Sequence, residues 1–152
     1  MYSSILVPID GSATAARGLA EAIGLARGLK AGLVLLNVVN DFPVLMEMAA
    51  AVNYAEVLEE LRKNGAEVLA QGREQVQAAG VQCEVVLREV PSGRAADAII
   101  EEARTRRCDL IVMGTHGRRG LSRLAMGSDA ELVVRGAPAP VLLVRNPHAS
   151  AS

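Results

Sequence analysis

Short, continuous apolar runs alternate along the chain with stretches in which apolar residues recur every three or four positions. Ile5-Leu6-Val7-Pro8-Ile9 is one such run; it stops at Asp10-Gly11-Ser12 and predicts a strand buried on both faces. Ala16, Leu19, Ala20, Ile23 and Ala26 then follow a helical period that ends near Gly28. A second buried strand is expected over 33–39. Residues 40–53 carry Phe42, Val44, Leu45, Met46 and Met48 without a period, and read equally well as a lid over a ligand or as core beneath a long loop. A long helix over 54–79 has Leu58, Leu61, Val68, Leu69 and Val76 on its apolar stripe, with Gly80 as its stop. The third strand, 82–89, alternates as a strand at a sheet edge does. Pro91-Ser92-Gly93 opens a helix carrying Ala96, Ile99, Ile100 and Ala103, and a fourth strand spans 109–113. A loop rich in glycine and arginine covers 114–127, Ser128 is the expected cap of a helix to about 135, and 141–144 is the fifth strand.

Strands joined by helical crossovers require a parallel sheet with right-handed connections and helices on both faces, an α/β doubly wound sandwich. With no internal repeat and no linker, residues 1–147 read as a single domain and 148–152 as a short tail. Ligands in such sheets bind beyond the carboxyl ends of the strands, where the strand order reverses. The segments after Ile9 and after Met113 are therefore where chemistry is expected.

Composition narrows the function classes. About half the residues are apolar (51%) and 22% are charged, an ordinary globular balance. The net charge of −1 excludes a general electrostatic grip on nucleic acid or on an anionic membrane. Tyr2, Phe42 and Tyr54 are the whole aromatic set, too few for a stacking platform. Cys83 and Cys108 stand apart from each other and from any ligand spacing, and read as reduced core thiols. The amino terminus lacks the pattern of a secretion signal, and no apolar run approaches the ~20 residues that span a bilayer. A soluble, cytoplasmic chain is the expectation.

The chemically informative segment is Gly114-Thr115-His116-Gly117-Arg118-Arg119-Gly120-Leu121-Ser122-Arg123-Leu124-Ala125-Met126-Gly127-Ser128. Glycines let backbone N–H groups approach a phosphate, and a helix starting at Ser128 adds free donors and a positive dipole end. A solvated loop whose glycines only permit turns is the competing reading, and composition alone leaves the two even. Asp10 likewise reads both as a ligand contact, able to help place a magnesium ion, and as an Asx-turn through Gly11 and Ser12. His116 has no acidic partner at an evident distance along the chain, so a polar contact is expected of it rather than base catalysis. The run Arg104-Thr105-Arg106-Arg107 reads as a solvated helix end. Rival α/β sites do not match. A Walker loop needs a lysine, whereas Lys30 and Lys63 lie far from the glycines, and neither the Rossmann glycine fingerprint nor a G-x-S-x-G elbow is present.

The spacing Gly114-x2-Gly117-x9-Gly127-Ser128 resembles the ATP-binding subset of the universal stress protein family. The resemblance extends to Ile5–Ser12 (ILVPIDGS), Val38-Val39, Gly93 with Ile99 and Ala103, Cys108–Gly117 (CDLIVMGTHG) and Gly136–Arg145 (GAPAPVLLVR). It implies a five-stranded sheet in the order 3-2-1-4-5, a cytoplasmic homodimer, and ATP (or AMP or ADP), with or without Mg2+, as ligand. Carried over by position, Pro8, Ile9 and Asp10 would lie beside adenosine. Val39 would meet adenine through its backbone, with Met113 nearby. Gly114, His116, Gly117, Gly127 and Ser128 would surround ribose and phosphates. Asp129 departs from the family's usual Val, and turned toward the phosphates its carboxylate would repel them. In the implied order the fifth strand is an apolar sheet edge, so pairing of Val141, Leu142, Leu143 and Val144 with a second copy is expected. The functional expectation is a regulatory or stress-response module that binds nucleotide without efficient turnover. A slow ATP hydrolase or phosphotransferase using the same pocket is the alternative, and a nucleotide-free dimeric interaction protein a third.

Overall fold

Alternating buried strands and amphipathic helices can hide their apolar faces only in a layered sandwich, and that is the architecture the chain adopts. The computed structural model describes residues 1–40, 53–91, 93–116 and 126–147. Along the chain run β1 (Ser4–Pro8), α1 (Ala13–Leu29), β2 (Gly32–Asn40), α2 (Tyr54–Ala78), β3 (Cys83–Val90), α3 (Ala95–Thr105), β4 (Leu110–Gly114), α4 (Ser128–Gly136) and β5 (Val141–Val144). The sheet has the expected order β3-β2-β1-β4-β5, with every pair parallel.

Successive strand residues feed two separate cores. Ile5, Val7, Leu33, Leu35 and Val112 pack under α1 and α2, whereas Leu6, Val34, Leu36, Ile111 and Met113 pack under α3 and α4. The segments predicted as β1, β2 and β4 are continuous apolar runs because both faces of the central strands are covered. The alternation of 82–89 has the opposite cause, since β3 is an edge strand. Its Glu84 and Arg88 join Glu102 and Arg106 in an ionic network on the α3 side. Burial pushes the Glu102 carboxyl up, but hydrogen bonds from Arg88 and Arg106, both at 2.7 Å, outweigh it and hold that carboxyl below its ordinary value. Arg106 is thus tied to Glu102 and Glu84, rather than simply solvated as the basic run suggests. Cys108 is buried, while Cys83 at the start of β3 is only partly covered.

Helix ends follow their capping chemistry. The Ser12 hydroxyl accepts the Ala15 N–H at 3.1 Å to start α1, and Asn53 does the same for Ala55 at the start of α2. Gly80, at φ +75°, follows the end of α2 as predicted. The buried face of α2 differs from the expected stripe. Leu58 and Leu61 are half-buried, and the line against the sheet is Gly65, Leu69, Gly72 and Val76. A Cβ on Gly65 would stand 2.5 Å from Asn37 Oδ1, and one on Gly72 would stand 2.9 Å from Ile9 Cδ1. These two glycines bring α2 down onto the carboxyl ends of β1 and β2.

Helix propensity and close approach therefore make opposite demands at two glycines. Gly24 on α1 has open space around its Cβ position, so Gly24→Ala should gain up to about 1 kcal/mol. Gly65→Ala has the same propensity gain but overpacks against buried Asn37, and should cost a net ~1–3 kcal/mol. Urea denaturation of the two variants checks this; an equal stabilisation of both would contradict the packing of α2.

Candidate functional site

The chain leaves β1 toward β2, and β4 lies on the other side of β1, so the strand order reverses between β1 and β4. β2 runs past β1: Pro8 pairs with Leu36, while the β2–β3 register continues to Asn40 opposite Val90. Residues 37–40, including buried Val39, thus border the mouth of the crevice on one side. Buried Asn37, which its sequence context did not single out, holds the end of β1 in place. Its Nδ2 donates to the Ile9 carbonyl at 2.9 Å, satisfying an acceptor that the sheet no longer pairs.

After Ile9 the backbone turns sharply. Asp10 Oδ1 accepts the Ser12 N–H at 2.9 Å, and Gly11 takes φ +84°. The Asx-turn is therefore formed, and a ligand role for Asp10 would be additional to it. The turn delivers α1 across the end of β4 at very close range. A Cβ on Gly114 would lie 2.6 Å from Thr14 Cγ2 and 3.0 Å from the Thr14 carbonyl carbon. Gly114 thus has a packing reason of its own, apart from any phosphate. Met113 beside it is buried in the core under α3 and α4.

Thr115 organises the far side. Its N–H donates to the Val144 carbonyl at 3.0 Å, and its own carbonyl accepts the Gly127 N–H at 2.7 Å. The Thr115 hydroxyl lies 3.0 Å from His116 Nδ1. The bond to Gly127 brings the start of α4 back to the end of β4, which places Gly114, His116, Gly127 and Ser128 at one rim. A Cβ on Gly127 would come within 2.9 Å of the Thr115 oxygen, so glycine is required there by backbone contact. Gly117 and the arginines of the loop lie outside the described residues, as does the cluster Phe42–Met48.

The start of α4 departs from expectation in one respect. Gly127, not Ser128, is the capping residue, Ser128 is the first helical residue, and among the described residues no side chain caps this terminus. Its first-turn N–H groups thus carry no side-chain cap, the condition under which a helix terminus accepts an anion. Asp129 turns away from the rim. Its Oδ1 accepts the Ala96 N–H at 3.3 Å and so caps α3, whose own capping residue Arg94 makes no such bond. The Asn40 side chain donates to the Gly93 carbonyl at 3.3 Å, joining the end of β2 to the same loop.

At the other end of the sheet, Asp109 clamps the beginning of β1. Its carboxylate accepts the N–H groups of Ser3 and Ser4 and the Ser3 hydroxyl. Burial pushes this carboxyl up, and those donors outweigh it and hold it low. An open depression at that end is bordered by Arg27, Lys30, Gly32, Gly80 and Gln82, and it contains none of the predicted site residues. Among the described residues, no group of three or more His, Cys, Asp or Glu side chains is arranged to hold a metal ion. No helix among them is long and apolar enough to cross a membrane.

The geometry has close counterparts among known proteins. A universal stress protein of Methanocaldococcus jannaschii is 33% identical over 147 residues, a match covering 97% of this chain and 84% of that one. Universal stress protein UspA from Lactobacillus plantarum superposes with a TM-score of 0.79 at 27% identity, over 95% of this chain and 98% of that one. A universal stress protein crystallised in complex with cAMP superposes with a TM-score of 0.66 at 26% identity, over 94% and 97% of the two chains. The sequence model of the Universal stress protein family matches residues 1–145. The family match over residues 1–145, the relative 33% identical over nearly the whole chain and the shared fold agree: the chain belongs to the universal stress protein family.

Proposed function

We propose that the protein binds an adenine nucleotide in the crevice between the ends of β1 and β4 and acts as a nucleotide-responsive regulatory module in the cytoplasm. The observation that carries the reading is the Thr115–Gly127 contact at 2.7 Å, which sets a helix N-terminus without a side-chain cap beside the reversal in strand order. The cAMP complex of a relative at 26% identity supports an adenine nucleotide as the ligand class. In this reading Pro8, Ile9 and the backbone of Val39 border the adenosine, with Met113 beneath. Asp10 meets the ribose, and Gly114, His116, Gly117, Gly127 and Ser128 surround the phosphates. ATP is the proposed physiological form, with AMP and ADP as ligands of the same pocket. A magnesium ion would arrive on the phosphates, with Asp10 as the carboxylate nearest to it in this reading. Asp129 Oδ1 accepts the Ala96 N–H at the start of α3, an orientation that turns its carboxylate toward α3 rather than toward the proposed phosphates.

Nucleotide released by denaturing the purified protein and identified by mass spectrometry should be adenylate. Calorimetry on the emptied protein should give affinity around micromolar, roughly −8 kcal/mol. Asp10→Ala, which loses a charged hydrogen bond, should weaken binding by at least about tenfold. Absence of both co-purified nucleotide and titration heat would contradict the reading.

A homodimer through β5 is the second part of the proposal. Val141–Val144 forms a sheet edge on which Leu142 is exposed, and Val134 of α4 is exposed too. Pairing with a second copy would cover that edge with two-fold symmetry. Sedimentation should show a dimer on the order of tens of micromolar and a monomer for Leu142→Arg; a monomeric parent would remove this part.

A further inference from the structure

Thr115 makes three contacts, and two of them, through its backbone, hold β4 to β5 and to the start of α4. The third is less readily explained by the fold. Thr115 is buried, so the hydroxyl proton needs an acceptor; leaving such a donor unmade costs about 1–3 kcal/mol. Among the described residues, the hydroxyl's hydrogen-bond partner is His116 Nδ1, at 3.0 Å. A spare hydroxyl lone pair is cheap, whereas a spare buried proton is not. The hydroxyl therefore donates, and Nδ1 accepts. The bond made by one ring nitrogen decides where the proton sits on the other. We infer that Thr115 is a positioning residue that fixes neutral His116 as the Nε2–H tautomer, so that His116 offers a phosphate oxygen a hydrogen-bond donor rather than a base.

The inference rests on the nucleotide reading for its phosphate, but not for its tautomer. It also gives that reading a chemical consequence. A ring whose Nδ1 is occupied by a hydroxyl and whose Nε2 carries the proton has no lone pair to activate water. Thr115, its own neighbour in the chain, thus supplies an orienting partner for the His116 ring at Nδ1.

The test uses uniformly 15N-labelled, nucleotide-free protein at mildly alkaline pH, where long-range proton–nitrogen correlations of imidazole distinguish the two neutral tautomers. His148→Gln assigns the signals, since the chain has two histidines. His116 should appear as the Nε2–H form. Thr115→Val, of similar shape and with the same backbone bonds, should give a mixture or the Nδ1–H form, and Thr115→Ser should restore the parent spectrum. An Nδ1–H form in the parent, or a Thr115→Val spectrum identical to it, overturns the inference. AMP affinity should fall about three- to tenfold in Thr115→Val, and adenosine affinity should not change. Equal losses for AMP and adenosine would contradict the phosphate role. A parent that binds neither removes the nucleotide reading, while the tautomer spectrum still decides the role of Thr115.

Discussion

The backbone hydrogen bond from Gly127 to the Thr115 carbonyl organises the functional end of this molecule. It closes the segment that follows β4 and returns the chain to the sheet, so that α4 begins where β4 ends. At 2.7 Å between backbone atoms there is no room for a side chain at 127, where an added Cβ would meet the Thr115 oxygen. The same threonine anchors β5 through the Val144 carbonyl and orients His116 through its hydroxyl. One residue therefore couples sheet edge, helix start and candidate ligand contact.

The opposite wall is assembled by close approach of backbones. Gly114 admits the first turn of α1 against the end of β4, and Gly65 and Gly72 admit α2 against the ends of β1 and β2. Asn37 resolves the polar cost of ending β1 in the interior by capping the Ile9 carbonyl. Asp129 does the equivalent for α3 from a neighbouring helix, and in doing so its carboxylate leaves the rim. An acidic residue beside a proposed phosphate site is thus compatible with anion binding because its charge is already committed to another helix terminus.

Much of this was legible in the residues themselves. Continuous apolar runs marked β1 and β2 as strands buried on both faces, and alternation marked β3 as an edge, because the covering of sheet faces favours those patterns. The reversal in strand order followed from the crossover rules together with the family resemblance, and it singles out the segments after Ile9 and after Met113, which begin with Asp10 and Gly114. The roles of Gly65 and Gly72 were not legible. Glycine has no place in an apolar stripe, and its value appears only when the distance to Asn37 or Ile9 is known. Asn37, Asp109, Asp129 and Thr115 act on backbone groups or side chains that sequence order does not identify. Ser128 was misplaced by one position as a cap because the bond to Thr115 moves that role to Gly127.

The central claim is one of location: an adenine nucleotide held at the carboxyl end of the sheet. Amide chemical-shift mapping on addition of AMP reads location most directly. The account predicts the largest changes at Ile9, Asp10, Val39, Gly114, His116, Gly127 and Ser128. Changes centred instead on Arg27, Lys30, Gly80 and Gln82 at the opposite end, or none at saturating nucleotide, would contradict it.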